Sequence, residues 1–199
     1  MSVSYYDRNA QSYFGSTVLA DMRDIRTRFL HYVRPAESIL DAGCGSGRDA
    51  RAFSEAGYAV TAFDASAEMV RLAKDHTRLP IRQITFVEMD WRGAFDGTWA
   101  SASLLHVARE ELPSSFRRFD RALAEGGIWY LSMKEGHGSR IADGRTFTDV
   151  TETELRDRLV DVGLQVVDMW RTDDVRPGRS DRWVNALARK SGQDTHRSV

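Results

Sequence analysis

The chain has 199 residues, 42% of them hydrophobic and 29% charged, with a formal net charge of −1. That length suits one α/β domain with a real core, and the charge balance gives no basic footprint for nucleic acid and no pull toward an anionic membrane. A single cysteine excludes a disulfide framework and a cysteine-based zinc site, and no metal site is expected. No apolar stretch approaches the length of a membrane span, and the first residues, MSVSYYDRNAQSY, lack a signal-peptide core. A cytoplasmic location is the resulting expectation.

Residues 5–33 read as helical. Tyr5, Tyr6, Tyr13 and Phe14 crowd the first part, and Met22, Ile25, Phe29 and Val33 share one face. Pro35 stops that segment. Residues 38–64 then read strand, glycine turn, helix, strand, acid. Ile39 and Leu40 lead to Asp41, and Gly43, Gly45 and Gly47 follow at two-residue spacing. Glycines let the backbone turn sharply and approach a ligand, and the helix behind the turn offers unpaired N–H groups. The second strand, Ala59 to Phe63, ends in Asp64, nineteen residues after Gly45, near the spacing of about 20 at which an acid meets a ribose.

The turn is not the dinucleotide fingerprint G-x-G-x-x-G, because Arg48 stands where its third glycine belongs. Asp41, an acceptor only, sits directly before the turn, which suits a ligand with a free ammonium and not a pyrophosphate. S-adenosylmethionine carries such an ammonium, and a ribose for Asp64.

ILDAGCGSGRDA and VTAFDAS, followed in order by FVEMDW, FDGTWASASLLHV and LAEGGIWYLSMK, resemble the class I S-adenosylmethionine-dependent methyltransferases. The resemblance covers roughly residues 5–190 and looks nearest to small stand-alone bacterial members, loosely grouped with tellurite-resistance ones. It implies a Rossmann-like, seven-stranded, mostly parallel sheet with helices on both faces and the last strand antiparallel. It implies one domain over 1–190, with 1–35 as a helical lid and 191–199 as a polar tail. Tyr5, Asp7, Ala10 and Tyr13 stand where the family's Y-D-x-x-A-x-x-Y segment closes over the cofactor, and Tyr13 reaches cofactor or substrate unless it only packs the helix onto the sheet. Asp41, Gly43 and Gly45, with Arg48 on the turn, belong to the methionine end, Asp64 to the ribose, and Ala65 and Met69 to the adenosine border.

The remaining elements follow this frame. Ser66 is a natural N-cap for a helix carrying Met69, Leu72 and Ala73. Ile84 to Val87 is read as the third strand. At its end Asp90 is assigned to the adenine amino group and Met89 to the ring face, with Trp91 stacking or covering the sheet edge. Phe95 to Ala102 is the fourth strand. The SLLHV after it lacks the Asn/Asp-Pro-Pro-Tyr motif of amino-methylating nucleic-acid enzymes, and its His106 is either a general base or a packing residue. Leu112, Phe116, Phe119 and Leu123 mark a helix, and Ile128 to Met133 a buried fifth strand ending at Lys134. The polar stretch 135–148 reads as a functional flap. Thr151 and Glu154 form a capping box. Gln165 to Thr172 and Arg182 to Arg189 complete the sheet.

Lys134, Arg145, Arg176 and Arg179 are candidates for holding an anionic small-molecule acceptor, as against a solvated, charge-balanced hairpin. Because a sulfonium methyl is already activated, an acceptor that arrives ionised needs no base. Two other readings stay open: a protein or RNA acceptor, and a nucleotide-binding module without catalysis. Oligomeric state is not legible.

Overall fold

The computed structural model describes residues 2–176, 178 and 180–192. The N-terminal segment forms two helices, α1 (Ser2–Thr17) and α2 (Arg23–Leu30). The continuous helix expected over 5–33 is broken where the Asp21 carboxylate accepts from the Arg23 backbone N–H, at 3.0 Å, and pairs with its guanidinium. A side chain that bonds the backbone locally competes with the helical ladder.

β1 (Ser38–Ala42), β2 (Ala59–Asp64), β3 (Arg82–Gln83), β4 (Phe95–Ala100), β5 (Leu123–Lys134), β8 (Leu164–Asp173) and β9 (Arg182–Lys190) form one sheet in the order β3-β2-β1-β4-β5-β9-β8. The first five are parallel, and β9 runs antiparallel to both neighbours. The chain winds outward from β1 to β3 and returns to β4 on β1's other side, so the strand order switches direction between β1 and β4. Ligands bind outside the carboxyl ends of strands at such a switch.

Alternation along the strands assigns the faces. Ile39, Trp99 and Tyr130 pack with Phe29 and Val33 of the α2 segment and Phe53 of α3 (Arg48–Glu55). The adjoining Ala62 packs on Ala50 of α3 and on Val70 and Ala73 of α4 (Ala67–Thr77). Leu40, Ala100, Trp129 and Leu131 point the other way, to Phe116 and Phe119 of α5 (Leu112–Ala122) and Leu155 and Leu159 of α6 (Glu152–Asp161). Gly97 in β4 is required by this packing, since a Cβ there would lie 2.7 Å from Phe29 Cζ.

Three local readings change. The third strand is Arg82–Gln83, not residues 84–87. The Thr85 backbone N–H and hydroxyl both donate to Glu88 Oε2, at 2.8 Å each, and close a 3₁₀ turn over Phe86–Glu88. This local capping outweighs the β-propensity of Ile-Thr-Phe-Val. The stretch 135–148 is a two-stranded hairpin, β6 (Ser139–Ala142) with β7 (Arg145–Thr148). It turns at Asp143 and Gly144, both with positive φ, as a type I′ turn requires. Thr151 caps α6 by accepting from the Glu154 N–H, but the Glu154 carboxylate turns to Arg109 and Arg158 instead of closing the box.

No helix among the described residues is long and apolar enough to cross a membrane. Residues 193–199 of the expected tail lie outside the described residues.

Candidate functional site

A cavity of about 470 Å³ opens over the carboxyl ends of β1, β2, β4 and β5. Its floor on one side is the glycine turn. Gly43 has φ +75°, and a Cβ there would meet Ser103 Cβ at 2.6 Å. The Ser103 hydroxyl donates to the Ala42 carbonyl at 2.8 Å, joining the chain after β4 to the turn after β1. Tyr13 lies over Gly45, whose Cβ position would be 3.7 Å from the ring.

Three acids stand around this turn with different surroundings. Asp64 is locked by backbone donors, from Gly45 to Oδ2 and from Ser66 to Oδ1, both at 2.9 Å. Each oxygen keeps a further lone pair for a ligand. Burial pushes its carboxyl up, and those N–H groups pull back down. Asp41 is only 3% exposed, and its Oδ2 has no hydrogen-bond partner. Burial and then the nearby Asp49 charge raise it well above the carboxylate range. Asp49 is satisfied: Arg26 reaches Oδ1 at 2.8 Å, Arg48 reaches Oδ2 at 2.5 Å, and Trp99 Nε1 donates to Oδ2 at 3.1 Å.

The N-terminal helix α1 roofs the cavity and is tied on both sides. Over α4, the Ser66 hydroxyl donates to Asp7 Oδ1 at 2.6 Å. Over the far side, the Tyr6 hydroxyl meets His106 Nε2 at 2.6 Å, and the Thr146 N–H donates to Ser2 Oγ at 3.1 Å. His106 Nδ1 faces the Thr146 carbonyl at 2.9 Å. A nitrogen facing a carbonyl must carry the proton, so Nε2 is the acceptor and Tyr6 the donor. Burial, with repulsion from Arg145 and Lys134, pulls the His106 pKa down to about 4, although the Thr146 carbonyl opposes this. A base depressed in the folded state contributes stability that is complete above its unfolded pKa near 6.5 and is lost as pH falls toward 4. Nitrogen NMR is therefore expected to show His106 neutral and Nδ1-protonated across that window. Half-protonation near pH 6 would contradict the buried pairing.

The expected site residues divide as follows. Tyr13, Asp41, Gly43, Gly45, Arg48, Asp64, Ala65, Met69, His106, Lys134, Arg145 and Arg176 all line the cavity. Met89, Asp90 and Trp91 do not. Met89 is buried in the core with its carbonyl held by Arg118 and Arg121, Asp90 is exposed, and Trp91 lies between Arg82, Phe63 and Phe95. The shortened β3 brings Ile84, Thr85, Phe86 and Val87 to the cavity wall in their place. Arg48 points to Asp49 and to the Thr17 carbonyl, at 3.4 Å, so it ties the end of α1 to the turn. Lys134 pairs with Asp181 at 2.7 Å, and Arg176 with Asp174 at 2.5 Å. Arg179 lies outside the described residues. Tyr6, Ser66 and Ser103 are additions, Tyr6 being legible in the sequence only as one of a crowd of aromatics; Asp7 belongs to the segment already expected to close over the site.

Residues 39–127 match the family described as "Methyltransferase domain". Over this segment the chain is similar to methyltransferase domains. Malonyl-[acyl-carrier protein] O-methyltransferase of Erwinia pyrifoliae is 29% identical over 66% of this chain and 50% of its own length. 2-Heptyl-1-hydroxyquinolin-4(1H)-one methyltransferase of Mycobacteroides abscessus is 27% identical over 71% of this chain and 62% of its own. The chain thus spans about half to three fifths of the length of these curated relatives. The crystal structure of Burkholderia thailandensis 1,6-didemethyltoxoflavin-N1-methyltransferase, with 1,6-didemethyltoxoflavin and S-adenosylhomocysteine bound, is similar with a TM-score of 0.77 at 26% identity. That likeness covers 95% of this chain and 85% of that one. The fold is accordingly the Rossmann-like fold of the methyltransferases.

Proposed function

We propose that this chain binds S-adenosyl-L-methionine over the glycine turn and transfers its methyl group to a small-molecule acceptor under α1. The observation that carries the reading is Asp41, a buried carboxylate with an unpartnered oxygen at the switch point. An acceptor-only group left without a donor there fits an ammonium, and Asp64 with its spare lone pairs fits a ribose diol. Ala65 and Met69 border the adenosine, and the adenine lies against the 84–87 turn rather than Asp90. When bound, the sulfonium supplies an activated methyl with a neutral leaving group.

The chain's own residues supply alignment and exclusion of water. Tyr13 covers the turn, Tyr6 and Ser2 fasten the roof, and His106, Lys134, Arg145 and Arg176 surround the acceptor half. Residues 1–35 act as the lid of a domain spanning 1–190. An acyl thioester partner, a hydroxyquinolone or a fused N-heterocycle, as named for the relatives, and a tellurite-like oxyanion are the acceptor classes to screen. Titration calorimetry with S-adenosylhomocysteine is expected to show one site per chain, lost in Asp64→Ala. No binding by the native protein, or undiminished binding by the variant, would sink the reading.

A further inference from the structure

A phenol sits between His106 and Arg145. The Tyr6 hydroxyl donates to His106 Nε2 at 2.6 Å, and the Arg145 guanidinium lies beside the same hydroxyl. The tautomer that makes Nε2 an acceptor is set by the Thr146 carbonyl, next to Arg145 on β7. One hairpin strand therefore places both groups.

Arg145 differs from the other cations of the cavity. Lys134, Arg176 and Arg48 are each neutralised by a carboxylate within 2.7 Å. Among the described residues, the carboxylate paired with Arg145 is Asp143, at 3.2 Å and itself 71% exposed. The guanidinium lies over the rings of Tyr5, at 4.3 Å, and Phe147, at 4.9 Å. Its Nε is buried without a partner. A rigid planar fork with donors to spare, beside an imidazole nitrogen that can only accept, is a complementary pair.

We propose that His106 and Arg145 together recognise a weak O–H acid, such as a phenol or an enol, and that the Tyr6 hydroxyl holds this place until the acceptor displaces it. The proposal rests on the methyltransferase reading and narrows its acceptor. Such an acid donates its proton to Nε2, as Tyr6 does, and takes a guanidinium hydrogen bond on the same oxygen. On transfer the sulfur–methyl bond breaks with its electron pair left on sulfur. The new methyl bond forms from the acid's heteroatom lone pair, and the acid's proton passes to Nε2 and then to water. The positive charge lost at sulfur thus appears on the imidazole, and the charge of the cavity is conserved. A carboxylate has no proton for Nε2 and is disfavoured there, despite the arginine.

The test uses 4-nitrophenol, on the acid side of its own pKa, and benzoate as probes, titrated into the full chain with and without S-adenosylhomocysteine. Wild-type protein is expected to bind 4-nitrophenol in preference to benzoate. Tyr6→Phe keeps the ring but frees Nε2, and is expected to bind 4-nitrophenol at least about threefold tighter. Arg145→Gln is expected to weaken it at least about tenfold. Far-UV circular dichroism and the thermal melt of each variant report an intact fold. Tighter binding of benzoate, no loss in Arg145→Gln, weaker binding in Tyr6→Phe, or no 4-nitrophenol binding by either the wild type or Tyr6→Phe would overturn the assignment. Failure of the native protein to bind S-adenosylhomocysteine would count instead against the methyltransferase reading.

Discussion

Asp41→Asn is expected to yield a protein that is more stable without ligand and binds S-adenosylhomocysteine at least about 100-fold more weakly. The two effects share one cause. A buried carboxylate with an unpartnered oxygen carries a desolvation cost of about 1–3 kcal/mol, which the neutral amide of the same shape largely removes. The same change deletes the charge that an ammonium needs, and a charge-assisted contact of about 3 kcal/mol corresponds to about 100-fold in affinity.

The pH dependence follows from the raised Asp41 pKa. Between the ordinary carboxylate value and the raised one, the folded state binds more protons than the unfolded state. Wild-type stability therefore falls as pH rises through that window, and the advantage of the Asn variant grows with it. Denaturant unfolding across the acid range, paired with calorimetry at neutral pH, measures both. A variant that is less stable at neutral pH, or that binds normally, would remove Asp41 from its assigned role. Sites that trade stability for binding in this way are common in natural proteins.

Asp49→Ala should act in the opposite direction, with a loss of about 3–5 kcal/mol. The carboxylate collects Arg26 from α2, Arg48 from α3 and the Trp99 indole from the centre of the sheet. Truncation leaves two mostly buried guanidinium groups and an indole N–H without their acceptor. For a chain of this size the loss corresponds to a fall in Tm of about 6–20 °C. Burial by itself would raise the Asp49 pKa, but Arg48 and then Arg26 outweigh it and hold the carboxyl below its usual range. Its contribution is therefore present above the unfolded pKa near 3.9 and is lost as pH falls through the folded value. A thermal melt of Asp49→Ala within 2 °C of wild type would show the network to be energetically idle. Because Arg48 also holds the Thr17 carbonyl, the variant is expected to loosen the end of α1 as well.

Much of the cofactor half was legible because its signals are local. The glycines of the turn are required by positive φ and by the close approach of Ser103. The Asp64 position follows from strand and helix lengths, and the helix faces follow from 3.6-residue periodicity. The resemblance supplied the antiparallel β9, which no local pattern shows. The hairpin at Asp143-Gly144 is also locally encoded, since Asp-Gly between short strand-like runs is a strong hairpin signal, yet the length, glycines and polar residues of the stretch read as a functional flap.

By itself the sequence determined the strand–turn–helix unit around Asp41, Gly43, Gly45 and Asp64, because each of those residues is demanded by backbone geometry within about thirty residues. The end of β3 is local, set by the Thr85–Glu88 capping box, but only the tertiary structure decided that residues 84–87, not Met89 to Trp91, face the cavity. A short edge strand is stabilised by one neighbour and yields to a single capping carboxylate. Only the tertiary structure joined Tyr6 to His106 and Thr146, partners 100 and 40 residues from His106, and saturated Lys134 and Arg176 while leaving Arg145 with a spare donor. Such pairings depend on which loops the sheet order brings together, and a count of charges along the chain carries no information about them.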